Sequence, residues 1–297
     1  MNRQPEPILA PQEDISETVN RSYSGGRASS ADRERRGADM SQSSALIVNA
    51  DDWGRDHETT ERIFECIRRG TVSSVSAMVF MEDSERAAAV ARESGVDAGL
   101  HLNFTTPFSS PCCSSQLMER QRKVASHLRR CALSKVVFHP GLVRSFEYVI
   151  AAQMDEFRRL YGSSSDRIDG HHHMHLCANV LLGRLLPAGT ITRRNFSFQP
   201  GQKSFANRFY RSVVDRMLAG RHRLTDFFFS LPPLEPAGRL QGIFALARQH
   251  VVEVETHPVN PEEYRFLMGD EIFRRLADLT IASSFRFAPT RGGRTAQ

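Results

Sequence analysis

The sequence predicts an α/β fold whose parallel strands close toward a barrel. Three observations carry this expectation. From residue 44 onward, short apolar runs alternate with amphipathic stretches, the pattern of units in which each helix returns the chain to a parallel strand. These units, about seven of them on the period-2 and period-3.6 patterns, run on without an obvious repeat or a second domain. Polar and ionisable residues gather where the strands end, as they do at the C-terminal rim of a barrel. The glycine-rich turn that opens a dinucleotide-binding open sheet is missing after the first strand.

The elements follow in order. "ALIVNA" (45–50) reads as a buried strand running into Asp51 and Asp52. "ETTERIFECIRRG" (58–70) sets Ile63, Cys66 and Ile67 on one helical face and ends at Gly70, a C-cap. "TVSSVSAMVF" (71–80) is a β-branched strand, "SERAAAVARESG" (84–95) a helix, and "DAGLHLNF" (97–104) a third strand. Residues 105–143 are rich in Ser, Pro and Cys and read as loops with a basic helical insert over one end of the fold. "FEYVIAAQMDEFRRLYG" is a helix with Ile150, Met154, Phe157 and Tyr161 at helical spacing, and "DRIDGHHHMHL" is a strand entering a loop. Strands are expected near 190–194, at 226–230 and at 250–257, and helices near 204–219, 237–249 and 261–279.

Composition excludes several classes. A chain of 297 residues with 40% hydrophobic and 25% charged residues is ordinary for a globular protein. A net charge of +5 is too mild to argue for nucleic acid by itself. No run of about 18 apolar residues occurs, so no membrane span is expected. Cys66, Cys112, Cys113, Cys131 and Cys177 are odd in number and lack zinc-ribbon spacing, which points to free thiols in a reducing cytoplasm. Residues 1–44 are rich in Ser, Gly, Pro and mixed charge and are expected to be disordered, with translation starting at Met40. The folded domain is expected over 45–288, followed by a disordered tail at 289–297.

Four strand ends carry candidate chemistry. They are "NADDWG" with Asp51 and Asp52, "GLHLN" with His101 and Asn103, "DGHHHMH" with Asp169, His171, His172, His173 and His175, and "EVETHPV" with Glu253 and His257. Singly, each has a plain reading. Paired aspartates cap turns, His101 between two leucines is a satisfied core histidine, and His257 ends a strand. Together on one rim they form a carboxylate and imidazole set suited to a divalent cation. On an extended backbone, alternation would turn His172 outward and His171, His173 and His175 inward.

In these motifs the sequence resembles the YdjC/ChbG-type carbohydrate deacetylases. "LIVNADDWG", "GLHLN", "DGHHHMH" and "EVETHP" stand in the family's order at compatible spacing, and the likeness covers 45–288. The resemblance implies a modified, TIM-barrel-like (β/α) barrel and hydrolysis of the acetyl group of an N-acetylated amino sugar or oligosaccharide. It implies one divalent metal ion, Mg²⁺ first, with Zn²⁺, Mn²⁺ or Co²⁺ as alternatives. The metal histidines fall on His101 and His171, and the metal carboxylate falls on the Asp51–Asp52 pair. Analogy with the related NodB-type deacetylases assigns Asp52 to the metal and Asp51 to the general base, and the sequence leaves the two exchangeable. His257 is the expected proton donor to the leaving amine, since the ordinary pKa of an imidazole lies near neutrality. His173, His175 and Asn103 are expected to support a ligand or meet the sugar, Asp169 and Glu253 to fix imidazole tautomers, and Arg193 or Arg194 to contact sugar hydroxyls or an anionic group. Trp53 stands where the family has phenylalanine, the following "RDHETTERI" is more charged than usual, and 105–143 matches poorly, so the substrate-facing loops are expected to differ from the family's.

Two rival readings are a metal-dependent phosphoesterase on a similar barrel and a basic binding module. For the latter, residues 193–224 interleave arginines with aromatics. The preferred reading there is an amphipathic helix with Phe205, Phe209, Val213 and Met217 buried, no nucleic-acid partner, and a possible homodimer.

Overall fold

The computed structural model describes residues 44–197 and 204–285. The expected extension, apart from Ser44, the Met40 start and the 289–297 tail lie outside the described residues. The chain runs β1 (Ala45–Trp53), α1 (His57–Arg69), β2 (Ser74–Ala77), α2 (Ser84–Ser94), β3 (Asp97–Leu102), α3 (Ser115–Arg130), α4 (Leu133–Val136) and α5 (Val143–Tyr161). It continues β4 (Arg167–Gly170), α6 (Ala178–Leu182), β5 (Ile191–Thr192), α7 (Phe205–Ala219), β6 (Phe227–Ser230), α8 (Ala237–Leu246), β7 (Val251–Thr256), α9 (Pro261–Met268) and α10 (Glu271–Leu276). Asp56 caps α1 by accepting from the Thr59 amide, and Gly70 closes it in the left-handed conformation. The final predicted helix is two, separated at Gly269.

The seven strands form one parallel sheet in the order β5-β4-β3-β2-β1-β7-β6. The sheet curls until its edges approach. No ladder joins β5 to β6 among the described residues. Instead the Ser197 amide donates to the Phe228 carbonyl at 2.7 Å, and the rings of Phe196 and Phe228 stack at 4.6 Å. The result is an incomplete barrel of seven strands.

Period-2 alternation explains its layers. Leu46, Val48 and Ala50 face outward into the main apolar cluster with Ile63, Cys66 and Ala87. The other face of β1 looks inward, where Ala45, Ile47, Ile191, Val251 and Phe285 plug the N-terminal end. Above the plug the interior turns polar. Asn49 donates to Ser76 and Asp51, both at 2.8 Å, and Ser76 donates to Asp169 at 2.6 Å. Arg167 packs over the Phe285 ring at 4.3 Å and donates to the Val75 carbonyl at 2.7 Å. It passes where a β-carbon on Gly99 would lie 2.6 Å from its Cζ, so a larger residue there would displace the guanidinium.

Arg193, just past β5, crosses the upper barrel with its side chain 1% exposed. Its guanidinium meets Asp51 at 2.6 and 2.8 Å, Glu253 at 2.7 Å, Asp169 at 3.0 Å and Glu255 at 3.3 Å. The expectation that it contacts sugar is corrected: it is spent on carboxylates inside the barrel. The expected burial of Phe205, Phe209, Val213 and Met217 is also corrected. Val214 and Leu218 carry the buried face of α7, while those four are exposed.

Arg193→Met would leave buried carboxylates without their cation and is expected to cost about 3–5 kcal/mol in urea unfolding. A loss within error would show that the barrel does not depend on it. Burial pushes the Glu253 carboxyl up from 4.5 to about 7. A raised folded pKa gives stability that is full below the unfolded pKa and lost as pH rises through the folded one. Wild type should therefore lose stability relative to Glu253→Gln between about pH 4.5 and 7.5, and parallel melts at several pH values measure this.

Candidate active site

Strict alternation would send Asp51 and Asp52 to opposite faces of β1. A bulge prevents this. Ala50 pairs with Val75 but Trp53 pairs with Ala77, so three steps on β1 answer two on β2. Asp52 takes up the extra residue at φ +69°, a conformation costly for a side chain with a β-carbon. Both carboxylates thereby reach the rim. Arg55, one turn further on, holds Asp52 in place by donating to its Oδ2 at 2.8 Å.

The histidine run departs from the expected extended strand. His172 and His173 are consecutive left-handed residues, at φ 55° and 57°, inside a 3-10 turn over His171–Leu176. The turn folds back so closely that a β-carbon on Gly170 would meet the His175 amide nitrogen at 3.0 Å. As a result His171, His172 and His173 all line one cavity, with Asp51, Asp52, Arg55, Thr106, Glu255 and His257. Its volume is about 550 Å³. His172 does not turn away as alternation predicted; its ring packs tilted against His171, centroids 3.9 Å apart, and its Nδ1 lies 3.0 Å from the Thr105 hydroxyl. His175 lies outside that lining. It is fully buried, and its Nε2 meets the Arg193 carbonyl at 2.9 Å, which positions the residue that carries the guanidinium.

Asp52, His101 and His171 converge at the cavity floor, their donor atoms within 4.8 Å of one another. Asp52 Oδ1 lies 2.9 Å from His171 Nδ1 and 3.4 Å from His101 Nε2. Asp52 Oδ1 and His101 Nε2 are both buried without a hydrogen-bond partner. Orphaned polar atoms aimed at one point are costly unless something fills it. His101 Nδ1 faces Asp169 Oδ1 at 2.7 Å, an arrangement that holds the ring with Nε2 toward Asp52. Two imidazoles and a carboxylate fit a divalent cation by chemistry and by approach.

Electrostatics follow from this crowding. Burial opposes the charge on Asp52, but His101 and His171 outweigh it and hold its carboxyl well below the ordinary range. Burial likewise opposes charge on His101, yet Asp51 and Asp169 push it up to about 10. Asp51 is held down against burial by Arg193 and His101. Burial and Asp51 push Glu255 up to about 8, and burial and Arg193 push His173 down to about 3. Asp51 Oδ2 stands 3.9 Å from His101 Nε2 and 4.0 Å from His257 Nε2.

The remaining expected residues lie elsewhere. Asn103 is buried and shapes the adjoining loop, accepting from the Thr105 and Thr106 amides at 3.1 and 2.9 Å. Glu253 binds Arg193 rather than an imidazole. Arg194 pairs with Asp215 of α7 at 2.9 Å and does not line the cavity. Sequence reasoning passed over Glu255, Arg55 and Thr106. Glu255 was legible from register, because residues 251, 253 and 255 share the inner face and 255 is nearest the rim.

Known proteins can now be set beside this geometry. The chain is 32% identical to a chitooligosaccharide deacetylase of Proteus mirabilis over 135 residues, which are 46% of this chain and 51% of the relative. It is 27% identical to a carbohydrate deacetylase of Danio rerio over 162 residues, 52% of this chain and 50% of that one. It thus spans about half the length of the curated relatives it matches. A crystal structure described as a candidate cellobiose-phosphate cleavage protein of Enterococcus faecalis superposes with a TM-score of 0.56 at 19% identity, covering 81% of this chain and 97% of that one. That likeness concerns the fold. The model of the YdjC-like proteins matches residues 45–285, from the first strand through every element that lines the cavity, and the chain belongs to that family.

Proposed function

We propose that the protein hydrolyses the acetyl group of an N-acetylated amino sugar or oligosaccharide, releasing acetate, with a divalent cation held by Asp52, His101 and His171. The observation that carries this reading is the pair of orphaned buried atoms, Asp52 Oδ1 and His101 Nε2, beside His171 Nδ1 at the floor of an open cavity. The names of the curated relatives, carbohydrate and chitooligosaccharide deacetylases, support the same chemistry. When bound, the cation lowers the pKa of a water and polarises the acetyl carbonyl.

The chain's own groups do the rest. Asp169 holds the His101 ring with Nε2 toward the site, and Arg55 holds the Asp52 carboxylate from its far side. Asp51 is ionised and oriented by the Arg193 fork, so it accepts the proton of the attacking water as general base. His257, 35% exposed and across the mouth from that carboxylate, gives a proton to the departing amine. His172, His173 and Thr106 line the path a sugar would take. The cavity volume is in the range of small-ligand sites. Two imidazoles favour Zn²⁺, Co²⁺ or Mn²⁺ over Mg²⁺, which prefers oxygen donors; Mg²⁺ rests on the family resemblance alone.

His101→Ala and His171→Ala are each expected to lose the bound metal, read by equilibrium dialysis and elemental analysis, and with it acetate release. Asp51→Asn and His257→Ala should keep the metal while turnover falls roughly 10²–10⁴-fold. Full acetate release by metal-stripped His101→Ala would end the proposal. Assaying N-acetylated saccharides beside phosphate esters, with each cation restored in turn, should give acetate without phosphate. Phosphate release with the same metal dependence would instead establish a phosphoesterase.

A further inference from the structure

The corrected orientation of α7 leaves an apolar stripe with no partner among the described residues. Phe205, Phe209, Val213 and Met217 recur every fourth position, and Phe205 and Phe209 are 82% and 63% exposed. The stripe is not remote from the cavity. Asp215, on the inward side of the same helix, accepts from Arg194 at 2.9 Å and from the Asn195 amide at 3.0 Å, just past β5. Two residues further, Phe196 packs edge-on against His173 at 4.7 Å. Burial and the neighbouring Cys177, which follows the histidine turn, push the Tyr210 phenol up.

A second apolar patch lies just before His139, which is bonded to the helix that follows that turn. Leu133, Val136, Val137 and Phe138 are exposed, with Leu133 at 66%. Asn179 of α6 clasps the His139 backbone through two hydrogen bonds of 2.9 and 3.0 Å, and Leu182 of the same helix is exposed beside it. The first patch thus adjoins the cavity lining through Phe196 and His173, and the second adjoins the helix that follows the histidine turn through His139 and Asn179.

Charge decides what would cover them. Between Glu119 and Glu147 the sequence holds seven Lys and Arg residues and no acid, and between Asp169 and Asp215 no acid occurs at all. Asp215 itself is committed to Arg194. A symmetric contact with a second copy would set these cations against one another. A nucleic acid would meet the cations but leave the aliphatic side chains in water. A basic rim with Phe and aliphatic residues at its centre is the composition of a surface that lies in a lipid interface.

We propose that this rim docks onto an anionic lipid bilayer, seating the α7 stripe and the 133–138 patch at the headgroup boundary with the cavity mouth between them. No helix of the described residues is long and apolar enough to cross a membrane, so the attachment is peripheral. The proposal makes no use of acetyl hydrolysis, and binding is read without turnover.

The full chain would be sedimented with vesicles of phosphatidylcholine alone and with about 30% phosphatidylglycerol, the anionic component that attracts basic segments. Partition is expected to be at least about tenfold stronger into the anionic vesicles and to weaken at high salt. The exposed double variants Phe205→Ser/Phe209→Ser and Leu133→Ser/Val137→Ser should each lose about tenfold or more while keeping the wild-type melting temperature. Arg208→Glu/Arg216→Glu should abolish the preference for anionic lipid. Equal partition into both vesicles, no partition, a dimer in analytical ultracentrifugation that Phe205→Ser/Phe209→Ser dissolves, or tighter binding to nucleic acid than to vesicles would each overturn the proposal.

Discussion

A single guanidinium sustains the upper half of this barrel. Four carboxylates, from Asp51, Asp169, Glu253 and Glu255, face the interior within 3.3 Å of Arg193. Several buried anions cannot stay charged together without a cation in their midst. Arg193 meets that need and in doing so fixes where each carboxylate points. Asp51 is presented to the cavity by its bidentate fork, and Asp169 is left with an oxygen to hold His101. His175 anchors the arginine's own backbone, so the histidine run and the ionic core support each other. The candidate metal triad thus rests on a scaffold of charge beneath it.

Local backbone cost is concentrated at the same place. Asp52, His172 and His173 all adopt left-handed conformations, and all three line the cavity. Such residues persist where surrounding contacts over-determine them. Arg55 fixes the first, while the Gly170–His175 approach and the packing of His173 against Phe196 fix the turn. A second constraint acts outside the barrel, where α7 buries only Val214 and Leu218 and is clamped by Asp215.

Much of this was legible in the residues. Apolar periodicity gave the parallel sheet and its helices, and strand ends rich in Asp and His located the rim. The family resemblance implied His101 and His171 as metal ligands with a carboxylate from the Asp51–Asp52 pair. What periodicity missed has physical causes. It assigned the Phe205 stripe to the core because a hydrophobic face usually seeks burial, yet the face of α7 that meets the barrel carries Val214, Leu218 and the Asp215 that pairs with Arg194. It read the histidines as alternating, yet a turn of two left-handed residues puts three neighbours on one side. It named Glu253 over Glu255 because depth along a strand is not written in the alternation.

The sequence by itself determined the order of elements, the inward and outward faces of each strand, and the donor types collected at the rim, since these follow from local period and composition. Only the tertiary structure decided which donors meet. The β1 bulge, the curl that brings β5 beside β6, and the crossing of Arg193 are set by non-local packing and electrostatics. No window of neighbouring residues encodes them.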